Sequence, residues 1–363
     1  MLILSIESSC DETSIAVLEN GKRVLSNIVA SQIDIHKEYG GVVPEIASRH
    51  HIQNISTVYD MAMKEAGCSI KDISYIAVTN TPGLVGSLLV GLMFAKGLSI
   101  ANNIPLIPIN HIDGHIFSTF IENDPKLPML TLVASGGHTT LYLMKEDKSL
   151  EKLGETQDDA IGEAFDKVAR ILDLSYPGGP AIEKLAKNGK NSLKLPTPKT
   201  DNIYDFSFSG IKTFVTNYVN SCKMKNEEYI KEDIAHSFQD KVIEIVKNTL
   251  IKAKDEFSIK SISIVGGVSA NKTLRNAIEN SEELKNIDLE LIFVNDGSKD
   301  KTEEELSAIK GIDKRTAKNI VEYFDKKNEI TKEDYKKLVD LRLLTLEHRL
   351  KSSPELVAAN HDV

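Results

Sequence analysis

The chain has 363 residues, enough for two domains of ordinary size that each bury a core of their own. Apolar residues make up 41% and charged residues 27%, as in soluble globular proteins, and three scattered cysteines favour a reducing cytoplasm over a disulfide framework. The net charge of −9 argues against broad, non-specific nucleic-acid binding, so a nucleic-acid substrate would need a local basic patch or a partner. No apolar run reaches the roughly 18 residues of a membrane span, and the N-terminus lacks a basic signal segment. We therefore expect a cytoplasmic protein with no membrane association.

Strand and helix signals alternate along the first half of the chain. Residues 2–6 and 14–18 are short apolar segments around a polar turn and predict a hairpin that opens a sheet. Helical spacing follows over residues 44–66, then a strand over 75–79. After the loop 80–83 comes a helix rich in small residues over 84–101. The apolar run 104–109 ends at Asn110, where we expect another helix to begin.

The second half repeats the order of strand, glycine turn and helix. A strand over 129–133 ends in the turn 134–140, and strand character resumes at 141–143. Residues 158–185 are helical with a break at 176–180, and a buried strand over 262–265 runs into the turn 266–271. The repetition predicts the α/β class with two similar lobes. We place the first lobe at 1–125, the second lobe with a helical insertion at 126–294, and a charged helical tail at 295–363.

Two histidines, His111 and His115, follow the apolar run 104–109 and stand four residues apart. On a helix that begins near Asn110 they would lie on the same face, one above the other. Neutral imidazoles at that spacing can bind one transition-metal ion. Such pairs are also common at surfaces and in cores, so this interpretation depends on the glycine turns elsewhere in the chain.

Glycine turns follow two of the predicted strands, at 135–139 (SGGHT) and at 266–271 (GGVSAN). Glycine lets the backbone approach a ligand closely, and N–H groups at a turn or helix start can bind phosphate. Neither turn fits the P-loop or the GxGxxG pattern. Two such turns on two lobes, together with an N-terminal turn that carries Asp11 and Thr13, predict a nucleotide bound in a cleft between the lobes.

Nine motifs, in order, carry a family resemblance. They are residues 6–13 (IESSCDET), 39–49 (YGGVVPEIASR), 81–91 (TPGLVGSLLVG), the segment with His111 and His115, 135–139 (SGGHT), 162–167 (GEAFDK), 176–180 (YPGGP), 205–213 (DFSFSGIKT) and 266–271 (GGVSAN). The chain resembles the bacterial TsaD family of tRNA threonylcarbamoyladenosine transferases, with its archaeal and eukaryotic relative Kae. The resemblance extends from Met1 to about Phe293.

The resemblance implies an actin-like ATPase fold of two RNase-H-like lobes. It implies transfer of the threonylcarbamoyl group from threonylcarbamoyl-AMP to N6 of adenosine 37 in tRNAs that read codons beginning with A. It also implies one Fe²⁺ or Zn²⁺ ion per subunit, with His111 and His115 as ligands, and Asp11 in a turn that faces the phosphate. The implied substrate contacts are Val133, Ala134, Ser135, Gly136, Gly137, Asp166, Gly179, Glu183 and Asn271.

The partners that the resemblance implies are tRNA and proteins of the modification pathway. These proteins are an inactive TsaB-like paralogue that dimerises with the chain, a TsaE-like P-loop ATPase and a TsaC-like synthase that makes the adenylate. The residue types suit this chemistry, because an adenine amine is a poor nucleophile and catalysis must come from positioning and from stabilising charge. A metal would act as a Lewis acid on the carbamoyl oxygen or on the leaving phosphate.

The C-terminal segment departs from the family pattern after residue 294. Relatives carry a Thr-Asp-Asn-small segment there, and its Asp completes the metal site. Here Asp296 and Asp300 are weak candidates for the third ligand, because neither lies in that motif. Residues 306–321 resemble a helix-hairpin-helix, but Asp313 replaces the second hairpin glycine. A plain pair of helices with a solvated charged face is the alternative for this tail.

Two other functions are compatible with the sequence. A non-catalytic scaffold that binds nucleotide and tRNA-modifying partners is favoured if the altered C-terminus removes the metal site. A metallopeptidase is the second alternative, but zinc peptidases place a Glu directly after the first histidine. Ile112 occupies that position here, and the nearby acid is Asp113.

Overall fold

A computed structural model describes residues 1–285 and 290–294. The first half of the chain forms a five-stranded sheet in the order β3-β2-β1-β4-β5. Its strands are β1 (Leu2–Glu7), β2 (Glu12–Glu19), β3 (Arg23–Ser31), β4 (Ile73–Thr81) and β5 (Leu106–Asn110). The first three strands form an antiparallel meander, whereas β1, β4 and β5 run parallel.

The second sheet repeats this arrangement. Its strands are β6 (Met129–Ala134), β7 (Thr139–Met144), β8 (Leu150–Glu155), β9 (Ser261–Val265) and β10 (Glu290–Val294). The order is β10-β9-β6-β7-β8, in which β6, β7 and β8 are antiparallel and β6, β9 and β10 are parallel. Read from β8, this order is that of the first sheet, so the two predicted similar lobes are confirmed.

Ten α-helices are described within residues 1–285. They are α1 (Ile33–Lys37), α2 (Pro44–Ala66), α3 (Val85–Asn102), α4 (His111–Glu122), α5 (Ile161–Ile171), α6 (Gly178–Ala186), α7 (Ser209–Lys225), α8 (Lys231–Glu256), α9 (Lys272–Glu279) and α10 (Glu282–Lys285). Local chemistry explains the limits of α2: Pro44 occupies its first position, where no N–H is needed, and Gly67 closes it with a φ of 66°.

Each sheet has its own hydrophobic core. In the first lobe, side chains of β1 and β2 such as Leu4 and Val17 pack with Val58 of α2. In the second lobe, strands β6, β7 and β9 pack against α5, α7 and α8, with Phe206 and Phe238 fully buried. Burial of such aromatic side chains supplies much of the driving force for folding.

Helix α4 follows the first sheet in the chain but packs on the second. Its Ile112 and Ile116 form a small buried cluster with Met129, Val133 and Val265, which belong to β6 and β9. The helix that carries the histidine pair is therefore fixed between the two sheets. The domain limits predicted at 125 and 294 stay predictions.

Most predicted elements are confirmed with small shifts in their limits, including the N-terminal hairpin, the helix over 44–66 and the break at 176–180. Strands β3 and β8 and helices α1, α7, α8 and α10 had no prediction. The tail, with its proposed helix-hairpin-helix, lies outside the described residues. Within those residues, α3 is long and apolar enough to cross a membrane by length and composition, which is weak evidence because core helices of soluble proteins also meet this criterion.

Candidate functional site

The first sheet brings the ends of three parallel strands to one edge. Strands β1, β4 and β5 end at Glu7, Thr81 and Asn110, and ligands of α/β proteins bind at such carboxyl edges. Asn110 caps the next helix, because its Oδ1 accepts a hydrogen bond from the N–H of Ile112 at 2.8 Å. Helix α4 therefore begins at His111, which confirms the helix start predicted from the sequence.

The histidine pair lies on one face of α4. The Nε2 atoms of His111 and His115 are 3.1 Å apart, and Nδ1 of His111 lies 3.1 Å from Oε2 of Glu7 and 3.1 Å from Oγ of Ser9. Because a carboxylate only accepts, Nδ1 carries a proton and donates it to Glu7, and Nε2 of a neutral His111 keeps its lone pair. Burial raises the pKa of Glu7, but hydrogen bonds with His111, Ser9 and Thr79, and the charge of His111 when it is protonated, lower it to about 2.

This geometry fits a transition-metal ion. Two imidazole nitrogens bound tetrahedrally at about 2.0–2.1 Å are roughly 3.4 Å apart, and the Nε2 atoms are 3.1 Å apart. Glu7 stands where a carboxylate commonly holds the second nitrogen of a ligating histidine. Within the described part of the chain, no cluster of three or more His, Cys, Asp and Glu side chains could hold a metal. The candidate third ligands Asp296 and Asp300 lie outside that part.

A third histidine faces this pair from the second sheet. His138 belongs to the turn after β6, and its ring centroid lies 6.4 Å from that of His111. Oγ of Ser135 accepts a hydrogen bond from the N–H of His138 at 3.1 Å, which fixes the turn. Burial lowers the pKa of His138, and repulsion from His111, when that ring is protonated, lowers it further. The turn predicted to bind substrate therefore lies beside the predicted metal ligands.

Both glycine turns belong to the second sheet, so the prediction of one turn on each lobe is wrong. Strands β6 and β9 are parallel neighbours, and the turns that follow them therefore begin side by side. Gly266 has a φ of 92°, and a Cβ at this position would lie 2.6 Å from the carbonyl oxygen of Ala134. Only glycine fits there. A nucleotide in the cleft would have both glycine turns on the same side.

The predicted substrate residues after β6 fall into a buried and an open group. Val133 and Ala134 are fully buried in the core, so they fix the start of the turn, and their side chains are not accessible to a substrate. Gly136 and Gly137 are exposed, and a Cβ at either position, or at Gly179, would meet no atom within 4 Å. None of these three has a positive φ. Packing and backbone conformation therefore do not require glycine here, whereas close approach of a ligand would.

The predicted polar contacts organise the starts of α6 and α9. Asp166 accepts a hydrogen bond from the N–H of Gly178 at 2.6 Å, and burial raises its pKa. Oε1 of Glu183 accepts hydrogen bonds from the first two N–H groups of α9 at 2.9 and 3.3 Å. Asn271 caps α9 and donates to Oε1 of Gln239 at 3.1 Å. These side chains hold helix N-termini near the glycine turns, and their contacts with substrate stay predictions.

A hydrogen bond connects the loop after α1 to helix α5 of the second lobe. Burial, followed by the negative charges of Asp11 and Asp166, raises the pKa of the Tyr176 hydroxyl. Arg170 of α5 donates a hydrogen bond to the carbonyl oxygen of Gly40 at 2.5 Å. Asp11 lies in the turn between β1 and β2 of the first sheet, and its role beside the phosphate stays a prediction.

Four site residues were not predicted: Glu7, Ser9, His138 and Gln239. Glu7 is the sole acid of the apolar strand β1 and stands at its carboxyl end, which was an available signal. His138 was visible as the polar residue that ends a Ser-Gly-Gly turn. Gln239 lies inside α8 and had no signal in the sequence, because only the packing of α8 against α9 brings it to Asn271.

Fold and site together define a class: a two-lobed α/β protein of the actin-like ATPase fold, with a histidine pair beside glycine turns suited to a nucleotide. Among solved structures, full-length HypF in its phosphate- and nucleotide-bound form has this fold, with a TM-score of 0.52 at 14% identity over 80% of this chain and 52% of HypF.

Sequence comparisons identify the family. Residues 23–295 match TsaD, described as tRNA N6-adenosine threonylcarbamoyltransferase. The enzyme of that name from Fusobacterium nucleatum subsp. nucleatum is 54% identical over 279 residues, which cover 77% of this chain and 82% of the relative. The one from Clostridium beijerinckii is 53% identical over 295 residues, which cover 80% and 86%. The chain belongs to the TsaD family.

Proposed function

We propose that this chain is an acyltransferase that moves the threonylcarbamoyl group from threonylcarbamoyl-AMP to N6 of adenosine 37 in tRNAs reading ANN codons. The observation that carries the proposal is the 54% identity with a tRNA N6-adenosine threonylcarbamoyltransferase over 77% of the chain. Neither a non-catalytic scaffold nor a metallopeptidase is favoured by these comparisons.

The reaction requires two ligands to meet in one cleft. The N6 amine forms a bond to the carbamoyl carbon, the bond from that carbon to the phosphate oxygen breaks, and AMP leaves. Because the amine is a weak nucleophile, the chain contributes mainly by holding donor and acceptor in line and by stabilising the charge that develops. The open turn at Gly136 and Gly137 and the start of α6 at Gly179 would bind the adenylate through backbone N–H groups.

We propose that one Fe²⁺ or Zn²⁺ ion is bound by Nε2 of His111 and Nε2 of His115. Such an ion supplies Lewis-acid stabilisation of negative charge on the carbamoyl or phosphate oxygens. Glu7 orients the ring of His111 and holds the proton of the neutral ring on Nδ1, which leaves Nε2 to face a metal ion. Asp11, at the turn after β1, would orient the reacting groups or accept a proton from the amine.

A protein partner is supported by the surfaces of α2 and α3. Val85, Leu89 and Met93 recur every four residues on α3 and are 74%, 48% and 52% exposed, and Ile52 of α2 is 64% exposed. Helix α3 packs on α2 and β4 with its other face. An apolar stripe on a packed helix pair suits association with a similar helix pair, so we propose a TsaB-like paralogue as its occupant. A TsaE-like ATPase, a TsaC-like synthase and a cytoplasmic location without membrane association complete the proposal.

Reconstitution tests the function directly. The purified chain is incubated with threonine, bicarbonate, ATP, the partner proteins and unmodified tRNA, and the digested nucleosides are then separated and identified. We expect threonylcarbamoyladenosine with the wild type and none with the folded variant His111→Ala. Unchanged modification by that variant would show that the histidine pair is structural. Absence of product with the wild type would contradict the proposed reaction.

A further inference from the structure

A lysine-rich segment leaves the site along α6. Residues 184–199, which we call the lysine strap, contain five lysines and no Asp or Glu in a chain whose net charge is −9. The lysines are Lys184, Lys187, Lys190, Lys194 and Lys199. The strap is therefore basic along the chain, as an acidic chain needs to bind a polyanion, while the acids Asp233 and Asp240 of α8 lie on its backbone side.

All five lysines are exposed, and none of their ammonium groups forms an ion pair with another described residue. Three other lysines of the second lobe are paired: Lys167 and Lys212 lie 2.6 and 2.7 Å from Asp159, and Lys231 lies 3.0 Å from Asp173. The ammonium groups of the strap are thus available to a ligand, whereas those of Lys167, Lys212 and Lys231 are already neutralised.

The strap is held in place by its backbone. The N–H groups of Ser192 and Leu193 both donate to Oγ of Ser237 at 3.1 Å, and that of Lys190 donates to Asp233 at 2.9 Å. Leu195 is buried in the core of the second lobe. These contacts fix the strap on α8, so its lysines are displayed in a set arrangement. A ligand need not order the strap, which favours binding.

The position of the strap suits a ligand that also enters the cleft. Helix α6 begins at Gly178, beside Asp166, and its nine residues span about 13 Å at about 1.5 Å per residue. Lys184 directly follows Glu183, which caps α9. A long polyanion with one nucleotide in the cleft would continue over α6 onto the strap.

The chemistry of the strap favours nucleic acid over an acidic protein. Between its lysines it exposes asparagine, serine, proline and threonine, while its two leucines after residue 190 point inward. Protein interfaces depend on buried aromatic and apolar anchors, which are absent from the strap. Phosphate contacts need only placed cations.

We infer that the lysine strap binds the phosphate backbone of the tRNA substrate. This inference rests on the proposed function and assigns the surface that holds the substrate outside the reacting nucleotide. Lysine–phosphate contacts release counterions, so affinity falls as salt rises. Each contact makes the slope of log affinity against log salt concentration steeper by about 0.7–0.9. At 0.1 M salt one contact is then worth about fivefold in affinity.

The test compares two variants of the full-length chain, each lacking three lysines. One carries K187Q, K190Q and K194Q in the strap. The matched control carries K64Q, K71Q and K225Q, which alter exposed lysines elsewhere. Binding of unmodified tRNA is measured by filter retention from 50 to 200 mM KCl, and thermal unfolding verifies that both variants fold.

We expect the strap variant to bind tRNA about 25- to 125-fold more weakly at 0.1 M salt, for two or three lost contacts, with a salt slope shallower by about 2. The control should stay within about threefold of the wild type. Equal binding and slope in the strap variant would overturn the assignment but leave the transferase function standing. Loss of paralogue binding with intact tRNA binding would make the strap a protein interface and overturn it too. Failure of the wild type to bind tRNA would overturn both.

Discussion

Replacing Glu7 by glutamine tests whether the hydrogen bond that Glu7 accepts from His111 supports metal binding, because the histidine itself stays in place. Oε2 of Glu7 lies 3.1 Å from Nδ1 of His111, and Oε1 lies 2.5 Å from the backbone nitrogen of Ser9. Glutamine has nearly the same shape but one carbonyl oxygen and no charge, so it can serve only one of these donors. Mutation of a residue that hydrogen-bonds a metal ligand typically weakens metal binding about 10–100-fold. Because glutamine keeps one carbonyl oxygen as an acceptor, we expect a loss near tenfold, about 1.4 kcal/mol.

The assay is a competition between the protein and a coloured chelator for Zn²⁺, repeated with Fe²⁺ without oxygen. Glu65→Gln is the matched control, because Glu65 is an exposed residue of α2. We expect the control to bind as tightly as the wild type and Glu7→Gln about tenfold more weakly. If a folded Glu7→Gln binds metal within a factor of about two of the wild type, Glu7 does not support a ligand and the assigned proton on Nδ1 is wrong.

Two further predictions concern stability and the glycine turns. His51 is fully buried, accepts a hydrogen bond from Thr13 and donates one to the carbonyl oxygen of Cys10. Burial lowers the pKa of His51, so the unfolded chain takes up a proton here before the folded chain does. The stability that the neutral ring contributes is therefore present at neutral pH and is lost as the pH falls below about 6.5. Chemical unfolding between pH 7.5 and 5 should show this loss in the wild type and a smaller one in His51→Gln. Gly266→Ala should lower the free energy of unfolding by about 3 kcal/mol through its positive φ and backbone clash. A Cβ at Gly137 would meet no atom within 4 Å, so Gly137→Ala should change the free energy of unfolding by less than about 0.5 kcal/mol but weaken adenylate binding. Equal losses of stability in the two variants would contradict the different roles assigned to Gly266 and Gly137.

The sequence alone determined the elements whose limits depend on neighbouring residues. Pro44 and Gly67 mark the two ends of α2, and Asn110 marks the start of α4. These signals are local, because a cap or a fixed φ acts within one turn of helix. The same local geometry placed His111 and His115 on one face. The family motifs added the identity of the site, since composition and spacing do not name a substrate.

The tertiary structure decided which of these elements meet. Strand β9 pairs with β6 across more than a hundred residues of chain. Because of this pairing, the second glycine turn lies on the same side of the cleft as the first. Glu7 reaches His111 from 104 positions away, and His138 approaches from the other sheet. Strand order and lobe packing depend on the burial of side chains that are far apart in sequence. Local sequence patterns do not indicate which of these side chains pack together. Chain chemistry therefore determined the parts of this site, and long-range packing determined their arrangement.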